Sequence, residues 1–123
     1  MRTLFLALIV SISALSCAQS TDDAGKVAKR ISKSEFKEKM GSLDNYQLVD
    51  VRTPGEFGRG TIEGAINIDY TGAGFEEKIN ELDKETPVLI FCQAGGRSAK
   101  ALKVIKRNGF EVVYELEGGY GNW

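Results

Sequence analysis

Cys92 is the side chain whose type and surroundings are best suited to covalent chemistry. It follows four apolar residues, Val88 to Phe91, and precedes a short loop that leads into a helical pattern. That loop consists of Gln93, Ala94, Gly95, Gly96, Arg97 and Ser98. A cysteine at the start of a helix has a lowered pKa because the helix dipole favours the thiolate. The adjacent glycines allow backbone N–H groups to turn inward and bind an anion. These features predict a nucleophilic cysteine, and the alternative is a buried structural cysteine followed by an ordinary glycine turn.

The chain contains no histidine, which excludes several kinds of site. Ser-His-Asp and Cys-His catalysis, the HExxH zinc motif and histidine proton shuttles all need an imidazole. The two cysteines, Cys17 and Cys92, cannot form a structural zinc site by themselves. Activation of Cys92 must therefore come from backbone electrostatics, with Arg97 as the candidate cation.

The composition is that of one folded domain. The chain has 123 residues, of which 42% are hydrophobic and 27% charged, as is typical of a globular protein. Sixteen Lys and Arg residues against 17 Asp and Glu residues give a formal net charge of −1. This balance argues against a nucleic-acid partner, because such proteins bind phosphates through an excess of positive charge.

The first 16 residues predict a signal peptide. Arg2 is followed by an uncharged, mainly apolar run over residues 4–15, which is too short for a membrane span of about 20 apolar residues. At Cys17 the sequence resembles a bacterial lipoprotein signal, in which the cysteine becomes the lipidated first residue. We therefore expect an exported, periplasmic lipoprotein that is anchored to the membrane through Cys17, with residues 17–26 as a tether. The alternative is a plain signal peptide that is cut nearby.

Strand and helix patterns alternate along the rest of the chain. Apolar or alternating runs predict strands over residues 27–31, 46–51, 65–68, 88–91 and 111–116. Helical spacing predicts three helices, which begin after Ser32 with a capping-box pattern, near Phe75 and at Ser98. Pro54 and Gly55 are expected to break the chain after the second strand. The alternation predicts an α/β domain with a mostly parallel central sheet flanked by helices.

Four ordered motifs in this framework resemble those of the rhodanese-like sulfurtransferases. They are residues 48–57, which include Asp-Val-Arg and Glu-Phe, residues 60–68, the loop 92–98 and the closing segment 118–123. Together they cover the chain from about residue 31 to its last residue in the order of the family. The resemblance implies a three-layer α/β domain over residues 27–123.

The resemblance also implies an activity and roles for the loop. Cys92 would accept a sulfane sulfur as a persulfide and pass it to a thiol or to cyanide, without a metal or an organic cofactor. The amides of residues 93–97 would stabilise the thiolate and the persulfide. Arg97 would attract a small anionic donor such as thiosulfate. The residues in supporting positions are Asp50, Arg52 and Ser98, of which the first two are expected to form a structural ion pair.

Three positions qualify what the resemblance implies. Gln93 is neutral where many relatives carry Arg or Lys, which leaves a persulfide-bearing thiol as an alternative to thiosulfate as the donor. Thr61 stands where many relatives carry a peripheral His. Glu56 is expected to stabilise a turn rather than to act as an acid.

Two other functions use related features. Tyrosine phosphatases and arsenate reductases also have a Cys…Arg loop, but their loop holds one residue more than the four between Cys92 and Arg97. A shorter loop suits a single sulfur atom better than a phosphate. A non-catalytic rhodanese-like binding or persulfide-carrier module is the main alternative, although the retained Cys92 and its glycines favour activity.

Overall fold

Within residues 25–123, which the computed structural model describes, five parallel strands form a central sheet. The predicted signal peptide, Cys17 and the tether up to residue 24 lie outside the described residues. The strands are β1 Val27–Ile31, β2 Gln47–Asp50, β3 Ile66–Asn67, β4 Val88–Phe91 and β5 Val112–Leu116. Their order is β1-β5-β4-β2-β3, and every pairing is parallel. The predicted α/β architecture with a mostly parallel sheet is confirmed.

The central position of β4 follows from its sequence. All four of its residues are apolar, and all are completely buried. Such a strand needs cover on both faces, which helices on each side of a parallel sheet provide. The edge strands β1 and β3 instead carry exposed side chains, namely Lys29, Arg30 and Ile66.

The helices of the described chain are α1 Lys33–Ser42, α2 Pro54–Gly58, α3 Phe75–Ile79 and α4 Gly96–Arg107. α1 begins where the sequence predicts, because the Ser32 hydroxyl accepts a hydrogen bond from the Glu35 N–H at 3.2 Å. α4 begins two residues before the predicted Ser98. Over residues 25–123, none of the helices is long and apolar enough to cross a membrane.

α2 is a helix where the sequence predicts only a break. The Thr53 hydroxyl accepts a hydrogen bond from the Glu56 N–H at 3.3 Å, and the Glu56 carboxylate accepts one from the Thr53 N–H at 3.1 Å. Pro54 fits the first turn of a helix because its missing N–H needs no partner there. The Thr-x-x-Glu capping box is the pattern from which α2 could have been predicted.

The helices cover the two faces of the sheet with separate apolar layers. On one face, α3 and α4 pack on a layer that includes Val49, Ile90 and Cys92. On the other face, Phe36 of α1 belongs to a layer that includes Leu89. Adjacent residues of a strand point to opposite faces, which is why neighbours such as Leu89 and Ile90 lie in different layers. The three layers are thus helix, sheet and helix.

The carboxyl ends of β2 and β4 lie side by side, since Asp50 is paired with Phe91. In open parallel sheets, ligand sites form at the carboxyl ends of the strands. Cys92 directly follows β4 at this edge, and the segment after β2 begins beside it.

Candidate active site

Cys92 lies at the start of a tight loop between β4 and α4. Gly95, the residue before the helix, has a φ of 113°, a conformation that favours glycine. The Gly95 N–H points at the cysteine, with 3.0 Å between the nitrogen and the Cys92 Sγ. The Ser98 Oγ lies 3.3 Å from the same sulfur. The loop therefore places a backbone N–H donor and the Ser98 oxygen beside the Cys92 sulfur.

The surroundings of Cys92 have opposing effects on its ionisation. Burial raises the pKa of the thiol, since only 1% of the residue is exposed. The Ser98 hydroxyl and the N–H groups of Ser98, Gly95 and Ala94 lower that pKa, because they stabilise the thiolate. The lowering effects are larger, and the pKa of Cys92 lies below its usual value. The site therefore shifts the ionisation of Cys92 toward the thiolate without a histidine.

A shallow depression of about 490 Å³ lies over the cysteine loop. Its lining residues are Cys92, Gln93, Ala94, Gly96, Arg97 and Lys100. Lys100 is exposed on α4 and forms no ion pair within residues 25–123. The depression thus brings a thiol, loop backbone and an uncompensated lysine to one place on the surface.

The charge of Arg97 is compensated by a residue of α2. Its guanidinium nitrogens donate to both carboxylate oxygens of Glu56, at 2.6 and 2.9 Å. This hydrogen bonding is the main reason why the pKa of Glu56 falls from 4.5 to about 2. Glu56 therefore caps α2 and also pairs with Arg97. An anion at this loop would therefore meet an ion pair rather than a free guanidinium group.

Asp50 and Arg52 form a buried ion pair at the end of β2, with 2.7 Å between Arg52 Nη2 and Asp50 Oδ2. Arg52 Nη1 donates to the Gln93 side-chain oxygen at 3.1 Å, and Nη2 donates to the Gly60 carbonyl at 2.6 Å. The Thr61 hydroxyl donates to Asp50 Oδ2 at 2.9 Å. The pair therefore connects the end of β2 to the loop through Gln93.

The segment that follows β5 holds the loop from the other side. The Tyr120 N–H donates to the Cys92 carbonyl at 2.8 Å, and the Gly121 N–H donates to the Gln93 carbonyl at 2.9 Å. Gly119 has a φ of 62°, and a Cβ on it would lie 2.5 Å from the Cys92 carbonyl oxygen and 2.6 Å from the Gln93 carbonyl carbon. Only a glycine allows this close approach of the two backbones.

A second buried ion pair lies behind Ser98. The Ser98 hydroxyl donates to the Glu115 carboxylate at 3.0 Å, and Glu115 is completely buried in β5. Arg30 of β1 donates to both Glu115 oxygens, at 2.6 and 2.9 Å. It also donates to the Gly95 carbonyl at 2.8 Å. The network therefore joins two strands to the loop that carries Cys92.

Three charged residues of this site were not predicted in these roles: Arg30, Glu56 and Glu115. Glu115 could have been suspected, because a carboxylate inside a run of apolar strand residues needs a partner. Its partner Arg30 lies 85 residues away in sequence, and Glu56 lies 41 residues from Arg97. No local pattern connects residues at such separations.

The carboxylates of the network around the cysteine are each paired with an arginine. Within residues 25–123, no group of three or more His, Cys, Asp or Glu side chains is placed to hold a metal ion. The site's ion pairs are Asp50–Arg52, Glu56–Arg97 and Glu115–Arg30. The chemistry for which this site is arranged is therefore nucleophilic attack by the Cys92 sulfur.

Comparisons with known proteins identify the family of the chain. The family model described as "Rhodanese-like domain" matches residues 32–123. The chain is 34% identical over 98 residues to the uncharacterized protein YqhL of Bacillus subtilis, which covers 80% of this chain and 74% of that protein. It is also 34% identical over 91 residues to the chloroplastic thiosulfate sulfurtransferase 16 of Arabidopsis thaliana, which covers 66% of this chain and 76% of that protein. The crystal structure of a rhodanese-like domain protein from Staphylococcus aureus matches with a TM-score of 0.68 at 33% identity, over 77% of this chain and 90% of that one.

Proposed function

The chain belongs to the rhodanese-like domain family, which has sulfurtransferases among its members, and from that premise we propose that it is itself a sulfurtransferase. It moves a sulfane sulfur from a donor to a thiol or cyanide acceptor through a persulfide on Cys92. The donor is thiosulfate or a persulfide-bearing thiol.

One observation carries the proposal. The Cys92 sulfur receives the Gly95 N–H at 3.0 Å in a loop whose hydrogen bonds lower the pKa of the thiol. A thiolate is the nucleophilic form of cysteine, and inward N–H groups stabilise a negative sulfur before and after transfer. The same loop lines a depression through which a donor can approach.

The reaction needs two displacements at sulfur. The Cys92 thiolate attacks the outer sulfur of the donor, and a sulfur–sulfur bond forms as the bond to the rest of the donor breaks. Thiosulfate leaves as sulfite, and a persulfide donor leaves as a thiolate. The acceptor then attacks the outer sulfur of the Cys92 persulfide and departs as thiocyanate or as a new persulfide. Cys92 returns as a thiolate, so the cycle needs no separate oxidant or reductant.

The charges that line the depression influence which sulfur donor can bind there. Arg97 is paired with Glu56, and Gln93 is neutral, so Lys100 is the uncompensated cation among the lining residues of the described chain. Thiosulfate would rely on that lysine and on the loop N–H groups. A persulfide-bearing thiol has less need of positive charge, which favours it as the donor.

The test is a comparison of the purified protein with a Cys92→Ser variant. Thiosulfate with cyanide, and separately a small-molecule persulfide with a thiol, are the two donor–acceptor pairs. We expect turnover with at least one pair and, by mass spectrometry, an adduct of one sulfur atom on the Cys92 peptide. Both are absent from the variant. The adduct without turnover would indicate a persulfide carrier, and no adduct from either donor would indicate a non-catalytic binding module.

The interval in the loop also supports sulfur transfer over phosphate chemistry. Four residues separate Cys92 from Arg97, and the guanidinium group is bound to Glu56 rather than free over the loop. Hydrolysis of an aryl phosphate by the wild type, with a turnover that is lost in the Cys92→Ser variant, would contradict the assignment of sulfur transfer.

We also propose that the domain is exported and anchored to the membrane by a lipid on Cys17. The support is the basic start, short apolar run and cysteine of the first 17 residues. Cells that are fed labelled palmitate should incorporate it into the wild type and not into a Cys17→Ser variant. An intact mass of the mature protein without a lipid would overturn the anchor.

A further inference from the structure

Glu115 is the one carboxylate whose hydrogen bonds reach the cysteine through a single side chain in residues 25–123. Its Oε2 accepts from the Ser98 hydroxyl, which in turn lies 3.3 Å from the Cys92 sulfur. Glu115 is completely buried, so water does not weaken its effect on Ser98. Its charge is balanced by Arg30, whose side chain is 44% exposed.

The Ser98 hydroxyl has one proton and two possible acceptors. A carboxylate only accepts, so this proton lies on the bond to Glu115, and the Ser98 oxygen accepts from the Cys92 thiol. A thiolate has no proton to donate. Its stabilisation by Ser98 therefore requires the hydroxyl to turn from Glu115 to the sulfur, after which Glu115 keeps its two bonds from Arg30.

We propose that Glu115 and Arg30 are positioning residues that set the ionisation of Cys92 in opposite directions. Glu115 favours the thiol, because it competes for the Ser98 proton and adds a negative charge nearby. Arg30 favours the thiolate, because it neutralises the charge of Glu115 and still donates hydrogen bonds to that carboxylate when the Ser98 hydroxyl turns away. The proposal rests on the proposed function in one respect: the network would serve to control how readily Cys92 attacks a sulfur donor.

Arg30 has a second contact that acts in the same direction. Its Nη2 donates to the Gly95 carbonyl at 2.8 Å, and the Gly95 N–H is the group that donates to the Cys92 sulfur. A Cβ on Gly95 would lie 3.0 Å from this nitrogen, so the guanidinium group is packed against the loop. Loss of Arg30 therefore removes a positive charge and also releases the loop residue that stabilises the thiolate.

The other charged groups near Cys92 come from the remaining elements packed around the loop. They are Arg97 and Lys100 of α4, Glu56 of α2, Asp50 and Arg52 at the end of β2, and Glu117 after β5, whose charge acts on Arg30. Arg97 with Glu56 and Arg52 with Asp50 are internally compensated pairs. The pair of Arg30 and Glu115 differs because it is linked to the sulfur by hydrogen bonds at both Ser98 and Gly95.

The test is the pH dependence of iodoacetamide alkylation at Cys92 in the full chain, followed by mass spectrometry of the Cys92 peptide so that Cys17 does not interfere. We expect Glu115→Gln to lower the apparent pKa of Cys92 by about one pH unit and Arg30→Gln to raise it by about one unit. A purely structural role would move both variants in the same direction or neither. Shifts of the same sign in both, or no shift in either, would overturn the proposal.

Matched controls separate a local effect from a change in net charge. Lys29→Gln removes a positive charge from the exposed side of β1, and Glu111→Gln removes an exposed negative charge just before β5. Neither control should shift the alkylation profile. If Glu115→Gln does not fold, Glu115→Asp replaces it, since the shorter carboxylate withdraws from Ser98 and should also lower the pKa. An unchanged pKa in folded Glu115→Asp would count against the proposal in the same way.

Alkylation needs no sulfur donor, which separates this inference from the proposed function. Opposite shifts with no sulfur adduct on Cys92 would support the network and refute the sulfurtransferase. An adduct with no opposite shifts would support the sulfurtransferase and refute the network.

Discussion

Replacement of Gly119 by alanine should destabilise the domain far more than the same change at a glycine with free space around it. The new Cβ would lie 2.5 Å from the Cys92 carbonyl oxygen and 2.6 Å from two backbone atoms of Gln93, none of which can rotate away. A side chain at positive φ costs about 1 kcal/mol, and relief of the overlap costs about 1–3 kcal/mol more. The hydrogen bonds from Tyr120 and Gly121 to the cysteine loop weaken as the loop moves, which costs about 1 kcal/mol of stability. We expect a total loss of about 3–5 kcal/mol in the free energy of unfolding.

Gly109 offers the matched control. It also has a positive φ, 86°, but a Cβ there would meet nothing within 4 Å. Gly109→Ala should therefore cost only what a side chain at positive φ costs, about 1 kcal/mol. Urea denaturation followed by circular dichroism measures both variants. The reasoning is refuted if Gly119→Ala is no less stable than Gly109→Ala.

Three further predictions concern charge. The pair of Glu56 and Arg97 should contribute stability that is complete above pH 4.5 and lost as the pH falls to about 2, because the pKa of Glu56 is lowered in the folded state. The acid-unfolding curves of wild type and Glu56→Gln should therefore differ at neutral pH and converge near pH 2. Arg52→Met should lose about 3–5 kcal/mol in urea denaturation, since it leaves the Asp50 carboxylate buried without its cation. Lys100→Gln should lower kcat/KM for thiosulfate by about threefold to tenfold and have a smaller effect with a persulfide donor, which carries less negative charge than thiosulfate.

Exposed residues of the same types serve as controls for these changes. Glu76→Gln breaks an exposed ion pair with Arg107 and should leave the acid-unfolding curve almost unchanged. Arg59→Met removes an exposed arginine next to α2, and Lys103→Gln removes an exposed lysine on α4. If a control changes stability or activity as much as its test variant does, the effect does not arise from burial or from proximity to the cysteine loop. Thiosulfate turnover that is unaffected by Lys100→Gln would contradict its role in donor binding.

Much of the fold follows from patterns that are local in sequence. The four apolar residues of β4 predict a strand covered on both faces, and β4 is the middle strand of the sheet. Ser32 predicts the start of α1, and its hydroxyl caps that helix. α2 was missed because Pro54-Gly55 is also a turn pattern, and the capping box at Thr53 outweighs it.

The chemistry of the site was less accessible from the sequence. The glycines and the helix after Cys92 predict a loop that stabilises a negative sulfur, because that geometry depends on adjacent residues. The partner of Arg97 and the network behind Ser98 depend on the packing of separate elements. Arg97 therefore looks like a free cation in the sequence, whereas in the structure Glu56 binds it at two points.

The pairing of β1 with β5 has a consequence for when the cysteine becomes acidic. Arg30 meets Glu115 across 85 residues, and the same Arg30 side chain donates to the Gly95 carbonyl beside the sulfur. A contact of such long range requires a large loop of the chain to close, at a cost in conformational entropy. During synthesis and in any unfolded form, Cys92 is thus an ordinary, mostly protonated thiol. The full acidity of the thiol therefore depends on the contacts of Arg30, and Cys92 is less easily oxidised in an unfolded chain because the thiolate is the reactive form.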